Sequence, residues 1–279
     1  MLTAFNAKNP AVCAVYYLGA SMLVMSMTHP IYLACALFIS IAFNLMQDGG
    51  REMRRYKWLY IITALAMIII NPLTSHRGAS VLFYLFDNAI TLESIAYGAI
   101  SAASVVTVLL IFTSFSRVLA PDKLMYLIGR ALPNTAMTIM LSVRLVPHFG
   151  ERLREISEVQ KTQPVPASNK WQRGMAVLHV LLARSLEDAV CTAQSMRARG
   201  YRSEQKRTFY NKYKMMISDI IILFVMIASA VFLTLSFRGY AIYPHLAPIA
   251  VQPLSFVLYA AFIAAPILME GVSRATCRF

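Results

Sequence analysis

The chain has 279 residues, of which 58% are hydrophobic and only 14% are charged, and its mean hydropathy is +0.58. These proportions lie outside the range of soluble globular domains and predict a polytopic membrane protein. The net charge of +13 does not indicate a nucleic-acid partner, because basic residues in a membrane protein first mark cytoplasmic loops and the anionic inner leaflet. The lipid bilayer is therefore the expected surrounding of most apolar side chains.

Six apolar runs predict transmembrane helices and an all-α fold. They cover residues 12–27, 31–46, 58–70, 94–116, 216–237 and 253–270. The first run has no convincing cleavage site and is interpreted as a retained span, not a signal peptide. Only Thr28-His29-Pro30 separates it from the second run, so the two predict a helical hairpin.

Two parts of this layout are less regular. The third run stops at Asn71-Pro72, and the segment at 72–93 is predicted to be interfacial or re-entrant. The acidic residues Asp219 and Glu270 lie close to the ends of the last two spans, where we expect interfacial exposure.

A basic segment separates the fourth span from the fifth. Between Arg117 and Lys214, arginine and lysine residues interrupt every candidate span, so this segment is predicted to be cytoplasmic. It contains two moderately apolar helices, at about 134–160 and 171–199, joined by a proline-rich break at 163–169. We therefore expect three parts, an N-terminal membrane part at 1–116, a cytoplasmic segment at 117–215 and a C-terminal membrane part at 216–279.

The positions of lysine and arginine predict the orientation of the chain. With both termini in the cytoplasm, 24 of the 26 Lys and Arg residues fall in cytoplasmic segments, all but Arg77 and Arg238. The inverted orientation would violate the positive-inside rule severely. An even number of spans, six, agrees with this placement.

The second cytoplasmic helix carries the main candidate for a binding site. Apolar residues mark one helical face at Leu182, Leu186, Ala189, Ala193 and Met196. Arg199 continues this face at the last turn, and Gly200 follows it directly. Since glycine readily ends a helix in the left-handed conformation, the pattern predicts a guanidinium held at a defined helix end. A solvated basic helix end is the alternative interpretation.

Sequence motifs of catalysis and of metal binding are absent. The chain has no GxxxxGK[ST], HExxH or GxSxG motif, so any ATP would be used by a partner. Its four cysteines are widely spaced and its five histidines are scattered, which argues against a zinc site or a disulfide framework. We expect no catalytic residues, no cofactor and no metal site.

Four short patches occur in a characteristic order. They are Asn71-Pro72 with Ser75-His76-Arg77-Gly78, Arg130-Ala131-Leu132-Pro133, Arg144-Leu145-Val146-Pro147 followed by Glu151, and Arg184-Ser185 with the later Ser195-Met196-Arg197-Ala198-Arg199-Gly200-Tyr201. Together they resemble the transmembrane T-component of energy-coupling factor (ECF) transporters, the EcfT/CbiQ-like family. A single Ala-Arg-Gly would be weak evidence, whereas four patches in order are specific.

This resemblance implies a non-catalytic coupling subunit of an ABC-type importer in the inner membrane. Its implied partners are two ABC-type ATPases and a membrane-embedded substrate-binding S-component, which takes up a vitamin, a vitamin precursor or a transition-metal ion. The implied ATPase-coupling residues are Ala198, Arg199, Gly200, Arg184, Ser185 and Gln163. The implied structural motif residues are Asn71, Pro72, His76, Arg77, Gly78, Pro133, Arg144 and Pro147.

The chain departs from the family pattern at one place. The family usually has a first Ala-Arg-Gly, where this sequence has Gln163-Pro164. Lys161 is a nearby cation, but an ammonium lacks the planar fork of a guanidinium. The second helix is therefore expected to carry more of the coupling contact.

Two other classes of protein are compatible with parts of the sequence. A polytopic membrane enzyme of lipid or isoprenoid metabolism would explain the interfacial segment and the polar patch at 71–77, but the chain lacks a paired acidic motif such as DxxxD. A membrane scaffold would recruit cytoplasmic proteins without transport.

Overall fold

A computed structural model of the protein describes residues 9–74, 80–85, 88–162, 170–201, 215, 217–236 and 252–276. The helices in this part of the chain are α1 (Pro10–Ser26), α2 (Pro30–Asp48), α3 (Arg51–Arg55), α4 (Lys57–Thr74), α5 (Leu92–Val118), α6 (Pro121–Ala131), α7 (Pro133–Thr162), α8 (Lys170–Ala198), α9 (Ile217–Ser236) and α10 (Pro253–Thr276). Two short strands, β1 (Val81–Leu85) and β2 (Asn88–Thr91), precede α5.

Five of the described helices are long and apolar enough to cross a membrane, namely α2, α4, α5, α9 and α10. The apolar helix α1 has 17 residues and a length of about 26 Å at the usual rise per residue, close to the thickness of a bilayer core. These six helices coincide with the six predicted apolar runs. The prediction of an all-α polytopic membrane protein is confirmed, with a single hairpin as the described exception.

Contacts between residues divide the chain into two compact units. The first comprises Met1–Leu124 and Tyr213–Phe279, and the second comprises Met125–Lys212. The first unit contains the six apolar helices. The second contains α7, α8 and the greater part of α6, and its two long helices begin and end within two residues of the predicted 134–160 and 171–199.

The first unit is a helical bundle in which α5 packs against α1, α2 and α4, while α9 and α10 pack on α1 and α2. The bundle core includes Cys13, Ala20 and Leu23 of α1, all fully buried. In contrast, α4 exposes Leu59, Ile62 and much of its remaining apolar surface. Because bilayer lipid is as apolar as these side chains, such a face is expected on a helix at the edge of a membrane bundle.

Hydrogen bonds between polar side chains join three helices inside the bundle. The Tyr17 hydroxyl lies 2.7 Å from Ser114 Oγ, which donates to Gln47 Oε1 over 3.1 Å. Asn44 Nδ2 donates to the backbone oxygen of Leu110 over 3.2 Å. Since a buried polar group without a partner is costly in an apolar medium, these bonds favour one register of α1, α2 and α5.

The end of α4 differs from the prediction. The third span was expected to stop at Asn71-Pro72, but α4 continues through Pro72 to Thr74. A proline removes only one backbone hydrogen bond, and here α4 is supported by its close packing on α5. A Cβ atom placed on Gly98 of α5 would lie 3.3 Å from the Asn71 Cβ, so the glycine permits this close approach.

The segment predicted to be interfacial or re-entrant contains an antiparallel β-hairpin. Strands β1 and β2 pair in the register Val81↔Thr91 to Leu85↔Asn88, with an irregularity after Val81. Thr91 then caps α5, and the buried Glu93 accepts a hydrogen bond from the backbone N–H of Ser80 over 3.3 Å. Pairing of the two strands satisfies backbone N–H and C=O groups of the hairpin. The apolar character of this segment did not indicate that its backbone would pair in this way.

Two further expectations are wrong. Asp219 and Glu270 are each only 4% exposed, because α9 packs on α1, and α10 packs on α2 and α9. The helices α1 and α2 were expected to pair as a hairpin, but α1 packs mainly on α5 and α9, and α2 mainly on α5 and α10. A short connection keeps two helices near each other, whereas the neighbours they pack against depend on the whole bundle.

Candidate functional site

The second unit is built around the two long helices α7 and α8, which pack against each other. Pro133 is the first residue of α7, a position that suits proline because the first N–H groups of a helix have no partner within the helix. An ion pair between Arg152 of α7 and Asp188 of α8 joins the helices. The sequence contained both residues but gave no signal that they meet, because they are far apart along the chain.

The apolar face predicted on α8 is not the side that carries the ion pair. Leu181, Ser185 and Asp188 are partly buried and share one side of the helix. Leu182 and Leu186 of the predicted face are 55% and 68% exposed. The packing of α7 therefore leaves this apolar face open.

The end of α8 has the geometry of a Schellman cap. Gly200 has a φ angle of +80° and donates its backbone N–H to the oxygen of Arg197 over 3.0 Å, while the N–H of Tyr201 reaches the oxygen of Met196 over 3.0 Å. Arg199 is the residue between the last helical position, Ala198, and this glycine. The predicted left-handed end at Gly200 is thus present.

The cap presents two cations to solvent. The side chains of Arg197 and Arg199 are exposed, and no hydrogen bond or ion pair holds either guanidinium within the part of the chain that the structure describes. Guanidinium groups can donate two parallel hydrogen bonds to a carboxylate, so this helix end is suited to bind an acidic or carbonyl-rich surface.

The cap does not include Arg184, Ser185 or Gln163, which were also predicted to take part in coupling. Arg184 and Ser185 lie about 20 Å earlier along α8, at the usual rise of 1.5 Å per residue. Arg184 is exposed beside Glu187 at 3.6 Å, and the Ser185 hydroxyl donates to the backbone oxygen of Leu181 over 2.6 Å. Gln163 lies outside the described residues, directly after the end of α7 at Thr162.

The predicted structural motif residues lie in both units. Asn71 and Pro72 belong to the packed end of α4 in the first unit, where Pro72 is buried. Arg144 and Pro147 are exposed on α7, with Pro147 inside the helix. His76, Arg77 and Gly78 lie outside the described residues.

In the described part of the chain, no group of three or more His, Cys, Asp or Glu side chains is close enough to hold a metal ion.

Outside the membrane-spanning helices, burial lowers the pKa of Lys123 in α6 below its ordinary value. The interaction of this ammonium with Cys13 opposes that shift.

The fold and the two-helix unit together define a class of multi-pass helical membrane proteins with a large segment inserted between spans. The family model of the cobalt transport protein CbiQ matches residues 2–210, most of the chain. The protein belongs to this family, which makes it a component of a transport system and does not favour the alternative of a lipid-metabolising enzyme. A comparison with curated proteins found no match.

Proposed function

We propose that this protein is the T-component of an ECF-type importer, which transmits the motion of cytoplasmic ATPases to a membrane-embedded S-component. The observation that carries the proposal is the Schellman-capped end of α8, where Arg199 is exposed next to Gly200. Membership of the cobalt transport family supports a transport role for the chain.

The cap is suited to fit a groove on an ATPase. A helix end is a compact binding element, and an arginine fixed there can make bidentate hydrogen bonds that also define its orientation. The ion pair between Arg152 and Asp188 links α8 to α7, so a displacement of the α8 end would move both helices. With Gln163 in place of the arginine of the first family motif, we assign the main contact to Arg199.

The open apolar face of α8 gives the second contact of the proposed mechanism. Trp171, Leu178, Leu182 and Leu186 are at least half exposed along this helix. A solvated helix has no need of such a surface, whereas an S-component embedded in lipid would offer an apolar partner.

The remaining assignments follow from this role. The complex would contain two ATPases and lie in the inner membrane, with both termini of this chain in the cytoplasm as the distribution of basic residues predicts. Its cargo would be a vitamin, a vitamin precursor or a transition-metal ion, and cobalt is a member of the last class. Cargo selectivity would belong to the S-component.

Co-expression with candidate ATPase and S-component subunits tests the proposal. Arg199→Glu should leave the protein in the membrane and abolish ATP-dependent uptake, since an interfacial arginine with hydrogen-bonded partners contributes about 2 to 5 kcal/mol to binding. Arg184→Glu should have a milder effect because Arg184 lies outside the cap.

Arg173→Glu is the matched control, since Arg173 is an exposed arginine near the start of the same helix. It should retain both assembly and uptake. Normal uptake by Arg199→Glu, or purification of the wild-type chain without any nucleotide-binding subunit, would contradict the proposal.

A further inference from the structure

The connection between α2 and α4 carries a concentrated positive charge. We call residues 49–57 the basic loop. It contains Arg51, Arg54, Arg55 and Lys57, and a single acidic residue, Glu52. All four cationic side chains are exposed. The proposed coupling mechanism gives this loop no role.

The basic loop has a defined conformation. Gly49 and Gly50, with φ angles of +63° and +78°, turn the chain between α2 and the short helix α3. Arg54 Nη2 donates to the backbone oxygen of Gly49 over 3.1 Å. The Arg55 guanidinium lies 5.8 Å from the centre of the Tyr56 ring, within the range of a cation–π contact. The two glycines thus set the backbone of the connection, and Arg54 and Arg55 make contacts within it.

The loop also lies at the end of a helix that faces lipid. Helix α4 begins at Lys57 and exposes apolar residues such as Leu59 and Ile62 on its surface. Trp58, in its first turn, is 66% exposed. Exposed tryptophan at the end of a span is typical of the headgroup level of a bilayer. The four cations lie within a few residues of Trp58 along the chain, and we therefore expect them near the headgroups.

We propose that the basic loop binds the phosphate headgroup of an anionic phospholipid, with Arg51 and Arg55 as the main ligands. At the headgroup level an anionic bilayer presents phosphate groups, and guanidinium groups match the geometry of phosphate. Arg54 has a structural role instead, because its guanidinium is bonded to Gly49. This inference depends only on α4 being a membrane span and is independent of the coupling function.

The chain offers a reporter at the proposed site, since it has only two tryptophans, Trp58 and Trp171. In a Trp171→Phe variant of the full chain, tryptophan fluorescence arises from Trp58 alone. Reconstitution into bilayers with brominated phosphatidylglycerol or brominated phosphatidylcholine then measures which lipid contacts Trp58, because bromine quenches only nearby tryptophan. We expect stronger quenching by phosphatidylglycerol at equal mole fraction.

Two sets of variants separate charge from structure. Arg51→Gln with Arg55→Gln should lower the ratio of the two lipid binding constants by about fivefold for each charge removed. Arg51→Lys with Arg55→Lys keeps the charge and should retain most of the preference. Arg173→Gln, distant in sequence from Trp58, is the control for lost positive charge and should leave the ratio unchanged.

The proposal is overturned if the two lipids quench Trp58 equally, which is the result expected if the loop instead serves an acidic protein surface. It is also overturned if the double glutamine variant keeps the wild-type ratio. Displacement of the phosphatidylglycerol effect by inorganic phosphate would show a site for the free ion and would equally contradict a lipid site.

Discussion

The coupling proposal depends on Gly200, because its backbone conformation places Arg199. At a φ angle of +80°, a side chain with a Cβ atom is strained, and alanine there costs about 1 to 2 kcal/mol relative to glycine. If the partner binds only the capped end and the free variant relieves its strain by leaving that conformation, Gly200→Ala weakens binding by up to this free energy, roughly 5- to 30-fold. Asparagine tolerates the left-handed region better, so Gly200→Asn should lose less.

The assay is the affinity of the purified chain for its ATPase subunits, together with ATP-dependent uptake. Gly174→Ala is the matched control, since Gly174 lies in the same helix and, among the described residues outside the neighbouring backbone of α8, no atom lies within 4 Å of the position that its Cβ would occupy. Alanine favours a helix interior over glycine, so this variant should bind normally.

Two outcomes would refute this reasoning. Wild-type affinity in Gly200→Ala would show that Arg199 acts without the cap. Equal losses in Gly200→Ala and Gly200→Asn would show that a side chain at residue 200 blocks the partner directly and that backbone strain is not the cause.

Two more predictions concern stability. Arg152 and Asp188 are partly exposed, at 21% and 38%, so a double-mutant cycle of Arg152→Met and Asp188→Leu should give a coupling energy of about 1 kcal/mol. Additive effects on the unfolding temperature would show that the pair contributes nothing. Gly98→Val should destabilise the membrane unit by about 1 to 3 kcal/mol, since an added Cβ would lie 3.3 Å from the Met67 carbonyl oxygen. In the same thermal assay Gly150→Ala should be close to wild type, because the added Cβ has no contact within 4 Å among the described residues beyond the backbone of its own helix.

The helices of this protein were predictable because lipid imposes a strong constraint on sequence. A span needs an unbroken apolar run, so α5 and α9 can be located from composition alone, within two residues at each end. The helices α7 and α8 were found for a related reason, since their basic residues exclude a span while their moderate apolarity, with a helical period in α8, indicates helices. The amphipathic helix α6 was missed because Pro121–Ala131 is short and carries no strong apolar run.

The candidate site was predictable only where its features depend on residues that are consecutive in the chain. The cap at Gly200 requires a few consecutive residues, and glycine after a helical pattern identifies it. The partner of Asp188 is a residue of another helix, and no local pattern indicates Arg152. The same reason explains the error at Asp219, where position near a span end suggested exposure but packing of α9 on α1 buries the carboxyl group.

The sequence by itself determined the class of protein, the six apolar helices and the capped arginine, since each depends on composition or on neighbouring residues. Tertiary structure alone decided which helices touch, which face of α8 stays open and why Pro72 continues a helix. These features depend on contacts between residues far apart in the chain, such as Asn71 against Gly98. The sequence of one segment does not show which distant residues it will contact.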